Sequence, residues 1–190
     1  PIIEYSTKLE STDVYIPRAR ATEISGLTEK EMHRLTELVR IVAYRLRDIF
    51  ERTGLVLWDG KLEFAFADVD AEGHRTFQLV DSIGPDELRL TFNGVQLSKE
   101  CLRKPYRGTE WHSNIGRSKE LAKERGQREW KKICQTELNS TPPNLSGSLL
   151  DQISGMYQAI TNVISEDLYG RKVFETAPTI DVIATQLEQS

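Results

Sequence analysis

Four charged residues in the middle of the sequence have types and spacings suited to binding anions and a divalent cation. Lys61 and Glu63 are two residues apart in an alternating run, so on a β-strand both would project from one face. Asp81 ends the next extended run, where a hairpin would bring its carboxylate near Glu63. Two adjacent carboxylates repel each other unless a proton or cation lies between them, and Mg²⁺ prefers oxygen ligands. With Arg89 as a further positive charge, this group suits phosphoryl transfer around magnesium.

Simpler interpretations of these and other polar residues stay open. Lys61 and Glu63 alone are typical of a solvated ion pair. The stretch Asp68–Gly73 resembles the start of a calcium-binding loop, but Leu79 stands where the closing glutamate belongs, so we interpret it as a polar hairpin connection. None of the three histidines has a partner at ligand spacing, which favours surface or packing roles for His33, His74 and His112. The sequence has no Walker glycine loop and no G-x-G-x-x-G motif.

The elements that must position the charged group are a long helix and a hairpin. Thr28 and Glu31 form a capping box before apolar residues at helical spacing, which predicts a helix from Thr28 to Thr53. Period-two patterns then predict strands at 55–57, 61–67 and 76–81, with another at 88–92. In this interpretation Leu62, Phe64 and Phe66 point into the core.

The second half of the sequence is predicted to be helical. Helical spacing indicates segments at 98–104, 118–137, 148–167 and 179–188, with a turn-rich linker at 139–147. The fold class is therefore α+β, a small antiparallel sheet with packed helices. We expect a catalytic core over residues 1–105 and a helical extension over 106–190.

Bulk composition narrows the class of protein. The chain has 190 residues, 38% of them hydrophobic, and a net charge of −4, which argues against broad nucleic-acid binding. It has no apolar run long enough to span a bilayer and no signal segment, so we expect a cytoplasmic protein without a membrane partner. Cys101 and Cys134 lack a C-x-x-C pattern and are expected to be free thiols.

Four segments in the same order resemble motifs of one enzyme family. Residues 57–64 (LWDGKLEF) resemble its D-x-K-L-E-F strand, and residues 81–90 (DSIGPDELRL) its D-x-x-S-P-D-x-x-R-L turn. Residues 98–103 (SKECLR) resemble its D-K-x-x-x-R segment, and residues 5–10 (YSTKLE) its S-T-K-x-E entry segment. The family is SAICAR synthetase, an ATP- and Mg²⁺-dependent ligase of purine biosynthesis that joins carboxyaminoimidazole ribotide to L-aspartate. The resemblance runs from about residue 1 to 103.

The resemblance implies a role for each matching residue. Glu63 and Asp81 would hold Mg²⁺ bound to ATP phosphates, and Lys61 would lie near the transferring phosphoryl group. Asp59 occupies the acidic position before that lysine. The remaining matches imply substrate binding: Arg89 at the ribotide phosphate, Lys99 and Arg103 at substrate anions, Lys8 and Asp13 on the aspartate side. A homo-oligomer is also implied.

Three departures from the family pattern leave alternatives open. Glycine replaces serine at Gly84, and only Asp13 survives from the segment after the S-T-K motif. We also expect the family's amino-terminal ATP-binding lobe to be absent from these residues. The alternatives are a related ligase with a different amine or acid substrate, or a non-catalytic binding module.

Overall fold

The computed structural model describes residues 1–8, 10 and 13–189. In chain order the elements are β1 (Tyr5–Ser6), β2 (Tyr15–Ile16), α1 (Arg18–Ser25), α2 (Glu29–Arg52), β3 (Leu55–Gly60), β4 (Phe64–Val69), β5 (Arg75–Leu79), β6 (Leu88–Phe92), β7 (Val95–Gln96), α3 (Glu100–Arg103), α4 (Glu110–Glu124), α5 (Trp130–Lys132), α6 (Gly147–Tyr169) and α7 (Ile180–Glu188). A 3-10 turn follows α3, and a π-helical turn follows α5. This combination of helices with small antiparallel sheets confirms the α+β class.

Two compact units share the chain. The first comprises Thr28–Leu102 and the stretch from Ser146 onward, and the second comprises Ile2–Leu27 and Arg103–Leu145. Each unit thus draws on two separate stretches of sequence, whereas the sequence suggested one division near residue 105. Which residues serve as catalytic core and which as extension stays a prediction.

The first unit has a core built from a three-stranded sheet and two helices. β6 lies between β3 and β7, and both pairings are antiparallel. The core combines inward residues of this sheet with apolar faces of α6 and α7 and the last turn of α2: Phe50, Leu55, Leu88, Leu90, Leu97, Ile153, Met156, Ala159, Ile160, Ile180, Ile183 and Leu187. Helices α6 and α7 approach closely at Gly155, where an added Cβ would lie 2.9 Å from Ile183 Cδ1.

The long helix α2 begins and ends where the sequence predicts. The Glu31 amide donates to Thr28 Oγ1 (3.2 Å), and the Thr28 amide donates to Glu31 Oε2 (2.8 Å), which confirms the capping box. Gly54 follows the last turn with a φ of +77°, a conformation that glycine adopts without steric cost. Of the apolar stripe, Met32 and Phe50 are fully buried.

The predicted hairpin forms, but it makes a sheet of its own. β4 and β5 pair antiparallel with Phe64 opposite Leu79, and neither strand joins β3 or β6. β4 begins later than predicted, at Phe64, and β5 ends earlier than predicted, at Leu79, so Lys61, Glu63 and Asp81 lie just outside the strands. A register shift between Leu57 and Asp59 interrupts the pairing of β3 with β6, and a shift between Phe66 and Val69 interrupts that of β4 with β5. Local alternation of residue types does not reveal such shifts.

The inward orientation predicted for Phe66 is wrong. Its side chain is 45% exposed, and it lies between the Phe77 ring, 5.8 Å away, and the Arg75 guanidinium, 4.1 Å above its ring. The alternation locates the strand correctly, but within the described residues β4 pairs with β5 alone, and the Phe66 ring packs against side chains of the hairpin itself. Leu62 and Phe64 are half-buried.

One of the predicted helices is wrong in extent. The sequence predicts a helix over 118–137 that is interrupted at Gly126, but α4 starts earlier, at Glu110, and ends at Glu124. Thr109 caps its first turn, because its hydroxyl accepts from the His112 amide (3.2 Å). Gly126, with a φ of +64°, then breaks the helix before α5. The other three predicted helices are present as α3, α6 and α7.

The second unit has its own small core, which includes Ala21, Ala122, Ile133 and Cys134. Cys101 and Cys134 are both free thiols. Within the described residues, none of the helices is both long and apolar enough to cross a membrane.

Candidate functional site

The lysine and glutamate of the D-x-K-L-E-F match form an ion pair. Lys61 Nζ lies 2.9 Å from Glu63 Oε1, and the Glu63 side chain is only 13% exposed. The Lys61 amide donates to the carbonyl of Glu87 (3.0 Å). Lys61 is therefore tied both to Glu63 and to the turn that precedes β6.

Asp59 and Arg89 form a second ion pair, between adjacent strands. The two residues are register partners on β3 and β6, and Arg89 Nη1 lies 2.6 Å from Asp59 Oδ2. Both side chains are more than half exposed. Because water screens their charges, the ion pair contributes little to the stability of the fold. A strongly charged ligand can therefore displace Asp59 from Arg89 at little cost.

A tight turn from Asp81 to Leu88 connects the hairpin to β6. The amides of Glu87 and Leu88 both donate to the carbonyl of Gly84, at 3.0 and 2.9 Å. The Asp81 carboxylate accepts from the Ser82 amide (2.8 Å). The turn thus has internal hydrogen bonds at its beginning and its end.

Lys99 lies against this turn. Its amide donates to the carbonyl of Pro85 (3.2 Å), and its ammonium group lies 3.8 Å from a Glu87 carboxylate oxygen. Lys99 therefore contacts the same turn as Lys61, and its role in binding a substrate anion stays a prediction.

Glu63 and Asp81 lie at the same end of the hairpin, on neighbouring rungs. The Val80 amide donates to the Glu63 carbonyl (2.9 Å), so Glu63 is opposite Val80 and Asp81 is one residue further. In a regular pleat, the side chains at 63 and 81 would point to opposite faces. However, Asp81 lies in a bend beyond the end of β5, so the pleat does not set its direction. Their joint binding of a cation stays a prediction.

A tyrosine on α6 is hydrogen-bonded to the turn, and none of the sequence motifs contains it. The Tyr157 hydroxyl donates to Asp86 Oδ1 over 2.6 Å, and the two residues are 71 positions apart. Burial, and next the hydrogen bond to Asp86, raise the pKa of Tyr157 above its usual value. The available signals in the sequence are a tyrosine among apolar residues at helical spacing and an acidic residue in the turn, and neither identifies the other as its partner.

The hairpin is held to α2 by a bidentate ion pair. Arg75 Nε and Nη2 each donate to a carboxylate oxygen of Glu31 at 2.7 Å. These hydrogen bonds, together with that from the Thr28 amide, lower the pKa of Glu31 to about 2. Glu31 therefore serves two elements, as the capping residue of α2 and as the anchor of β5.

The hairpin loop gathers three potential metal ligands, Asp70, Glu72 and His74, within 4.8 Å of one another. Asp70 already accepts from the His74 and Glu72 amides, at 2.7 and 3.2 Å, and the first of these is the main cause of its lowered pKa. His74 Nε2 lies 2.9 Å from the Lys30 ammonium. These contacts fit the predicted polar hairpin connection.

Lys8, Asp13 and Arg103 belong to the second unit. Each has an interaction partner, and Arg103 ends α3. Their predicted roles in binding substrate stay predictions.

Known proteins of similar sequence identify the family. The SAICAR synthetase family model matches residues 1–117. A protein of Archaeoglobus fulgidus, provisionally named phosphoribosylaminoimidazole-succinocarboxamide synthase, is 36% identical over 100% of this chain and 51% of its own length. The synthase of that name from Thermoplasma acidophilum is 30% identical over 85% of this chain and 52% of its own.

A crystal structure of the Ehrlichia chaffeensis synthase aligns with 75% of this chain and 53% of that chain, with a TM-score of 0.49 and 24% identity. The chain spans about half the length of the curated relatives it matches. Because the family model matches more than half of the chain, the chain belongs to the SAICAR synthetase family.

Proposed function

We propose that this chain contributes to an ATP- and Mg²⁺-dependent ligase that forms an amide between the carboxylate of carboxyaminoimidazole ribotide and L-aspartate. The observation that carries the proposal is the linkage of Lys61, Glu63 and Arg89 through one turn. Lys61 contacts Glu63 and the Glu87 carbonyl, and Arg89 follows that turn on β6. Three residues of two separate family motifs therefore belong to one connected structure.

The chemistry of the available donors fits Mg²⁺. Glu63 and Asp81 offer carboxylate oxygens, the ligand type that this ion prefers. Within the described residues, Asp81 uses one carboxylate oxygen for the Ser82 amide and keeps the other for a ligand. When bound there, Mg²⁺ would neutralise nucleotide phosphates during transfer to the ribotide carboxylate.

The cationic residues would bind and orient the remaining anions. Arg89 would exchange its exposed partner Asp59 for the ribotide phosphate, since phosphate accepts two hydrogen bonds from a guanidinium. Lys61 would lie beside the transferring phosphoryl group. Lys99 would contact a further substrate anion. Asp59 would then be available to accept a hydrogen bond from the substrate.

We extend the proposal to the residues of the second unit on the family motif alone. Lys8 and Asp13 would bind L-aspartate, and Arg103 a substrate anion. A homo-oligomeric state and a cytoplasmic location are also part of the proposal.

Substitution of Glu63 provides the test. Glu63→Gln keeps the size of the side chain but removes its charge, and Glu72→Gln is the matched control on the exposed hairpin loop. In the full translation product of the gene, we expect Glu63→Gln to reduce ribotide- and aspartate-dependent phosphate release by at least about 100-fold. The control should retain activity. Unchanged turnover in Glu63→Gln would refute the metal role.

A binding measurement separates metal binding from catalysis. Paramagnetic Mn²⁺ is expected to broaden the amide NMR signals of residues 63 and 81 in the 190-residue chain. Broadening should weaken in Glu63→Gln but persist in Glu72→Gln. Broadening at Asp70 and His74 instead would move the metal site to the hairpin loop.

Gly84 favours a second candidate, a ligase that uses a different amine or acid. Among the residues that the structure describes, nothing lies within 4 Å of a Cβ added at this position, and its φ is not in the left-handed region. The fold therefore does not require glycine where the family motif has serine. An amine-donor screen with full-length protein decides between the candidates, because product formation with another amine but not with aspartate would favour the second.

A further inference from the structure

The contact between Tyr157 and Asp86 joins the turn of the candidate site to the helical core. Its hydroxyl-to-carboxylate distance is 2.6 Å, which is typical of a strong hydrogen bond to a charged acceptor. On α6, Tyr157 directly follows Met156, which is completely buried, and lies one turn before Ile160, which is 2% exposed. The helix therefore holds the tyrosine firmly, while Asp86 itself is exposed.

Apolar packing beneath the turn is incomplete. A cavity of about 480 Å³ is lined on one side by Ile83, Gly84 and Pro85 and on the other by residues of α6, including Tyr157 and Ile164. The Ile83 side chain is 42% exposed. Because the cavity leaves the turn without a tightly packed apolar support, the hydrogen bond has a larger part in fixing its position than it would in a filled core.

We propose that Tyr157 is a positioning residue that acts through Asp86 on the turn between Asp81 and Arg89. This inference rests on the proposed function, which assigns the two ends of that turn to the metal and to the ribotide phosphate. Asp86 lies five positions after Asp81 and three positions before Arg89. Release of Asp86 would loosen the turn at a point between the two ligand-binding side chains.

Hydrogen exchange tests the positioning without any need for activity. The Glu87 and Leu88 amides are protected by the Gly84 carbonyl, so they report on opening of the turn. In Tyr157→Phe we expect both amides to exchange about tenfold faster, equivalent to about 1.4 kcal/mol in the opening equilibrium. The control is Tyr169→Phe, which removes an exposed hydroxyl from the other end of the same cavity and should leave these amides unchanged.

A kinetic double-mutant cycle tests the consequence for substrate. In the full translation product, Tyr157→Phe and Asp86→Ala should each raise the KM for the ribotide about tenfold, with a smaller change in kcat. The double mutant should be no worse than either single mutant, since both break one contact. Asp86→Asn keeps an acceptor oxygen for the tyrosine and should restore most of the affinity.

The two measurements distinguish failure of the inference from failure of the proposed function. Unchanged exchange of Glu87 and Leu88 in Tyr157→Phe would overturn the inference, even in an active enzyme. Additive effects of the two single substitutions would overturn it as well. Faster exchange with an unchanged ribotide KM would support the positioning and refute the role assigned to Arg89.

Discussion

The close approach of α6 and α7 at Gly155 predicts that alanine there is destabilising, although alanine favours a helix. An added Cβ would lie 2.9 Å from Ile183 Cδ1 and 3.0 Å from Pro178 Cγ, both shorter than ordinary carbon contacts. Ile183 is 1% exposed, so its side chain has little room to move, and the proline ring is rigid. The added methyl group must therefore separate the two helices or force a strained rotamer.

The magnitudes of the two opposing effects decide the sign. Replacing glycine by alanine in a helix interior contributes about 1 kcal/mol of stability. Overpacking a filled core costs about 1–3 kcal/mol, and contact with a rigid ring places this site toward the upper end. We therefore expect Gly155→Ala to lower the free energy of unfolding by about 1 kcal/mol, or roughly 2–4 °C in Tm for a chain of this size.

A second substitution identifies the cause. Ile183→Val removes the Cδ1 atom that the new Cβ would meet, and on its own it should cost about 1 kcal/mol. In Gly155→Ala/Ile183→Val the two costs should be less than additive by roughly 0.5 kcal/mol or more, because the valine relieves the overlap. Urea unfolding followed by circular dichroism gives the four free energies. The matched control is Gly116→Ala on α4, where nothing lies within 4 Å of the new Cβ. If Gly155→Ala stabilised the chain as much as this control, the close contact of α6 with α7 would be refuted.

Three further substitutions test other parts of the structure. Arg75→Gln removes the main cause of the low pKa of Glu31, so we expect that pKa to rise from about 2 toward 4.5 in a carboxyl NMR titration. In the wild type, the folded-state pKa of Glu31 lies below the unfolded value. The contribution of Glu31 to stability is therefore present above about pH 4.5 and is lost as the pH falls through about 2. If Arg75→Gln unfolded in acid with the same profile as the wild type, this linkage would be contradicted. Leu90→Ala truncates a fully buried side chain of β6 and should cost about 3 kcal/mol in urea unfolding, whereas a loss below about 1 kcal/mol would mean that this core position can collapse. Gly84→Ser should leave the unfolding midpoint unchanged, because its surroundings are open, and a fall in the midpoint would show a steric demand for glycine.

Local patterns predicted the elements of the first unit well. The capping box of Thr28 and Glu31 located the start of α2, because both partners lie within one helical turn. Alternation likewise located the hairpin, since the pairing of β4 with β5 requires only a short connection. These features depend on residues close in sequence, which is the information that periodicity contains.

The errors concern contacts between residues that are distant in sequence. Phe66 alternates correctly yet is exposed, because whether a face is covered depends on what packs against the hairpin. The pairing of β3 with β6, and hence of Asp59 with Arg89, joins segments about thirty residues apart. Helix α1 was missed since its eight residues bury only Ala21 and have little amphipathic pattern.

The sequence indicates the residue types of the candidate site more fully than it indicates the contacts that hold those residues in place. Lys61, Glu63 and Arg89 stand out because a known family motif contains them. The side chains that hold them in place do not, because the sequence identifies Glu31 only as a helix cap and none of the family motifs contains Tyr157. Both act on partners 44 and 71 positions away, a relation that only the folded chain reveals.

Two polar contacts hold the hairpin and the turn of the candidate site in a defined position and still allow both segments to move when ligands bind. The hairpin is linked to α2 by the Arg75 and Glu31 pair, and the turn is linked to α6 by Tyr157 and Asp86. Neither the hairpin nor residues 81–87 of the turn contribute to the main core, so the free energy needed to shift them is smaller than for β6 or α6. Charged hydrogen bonds restrict these segments to one geometry, but they do not bury them. Segments of this kind can rearrange when nucleotide, metal and ribotide bind, whereas β6 beyond the turn is held in the core by Leu90.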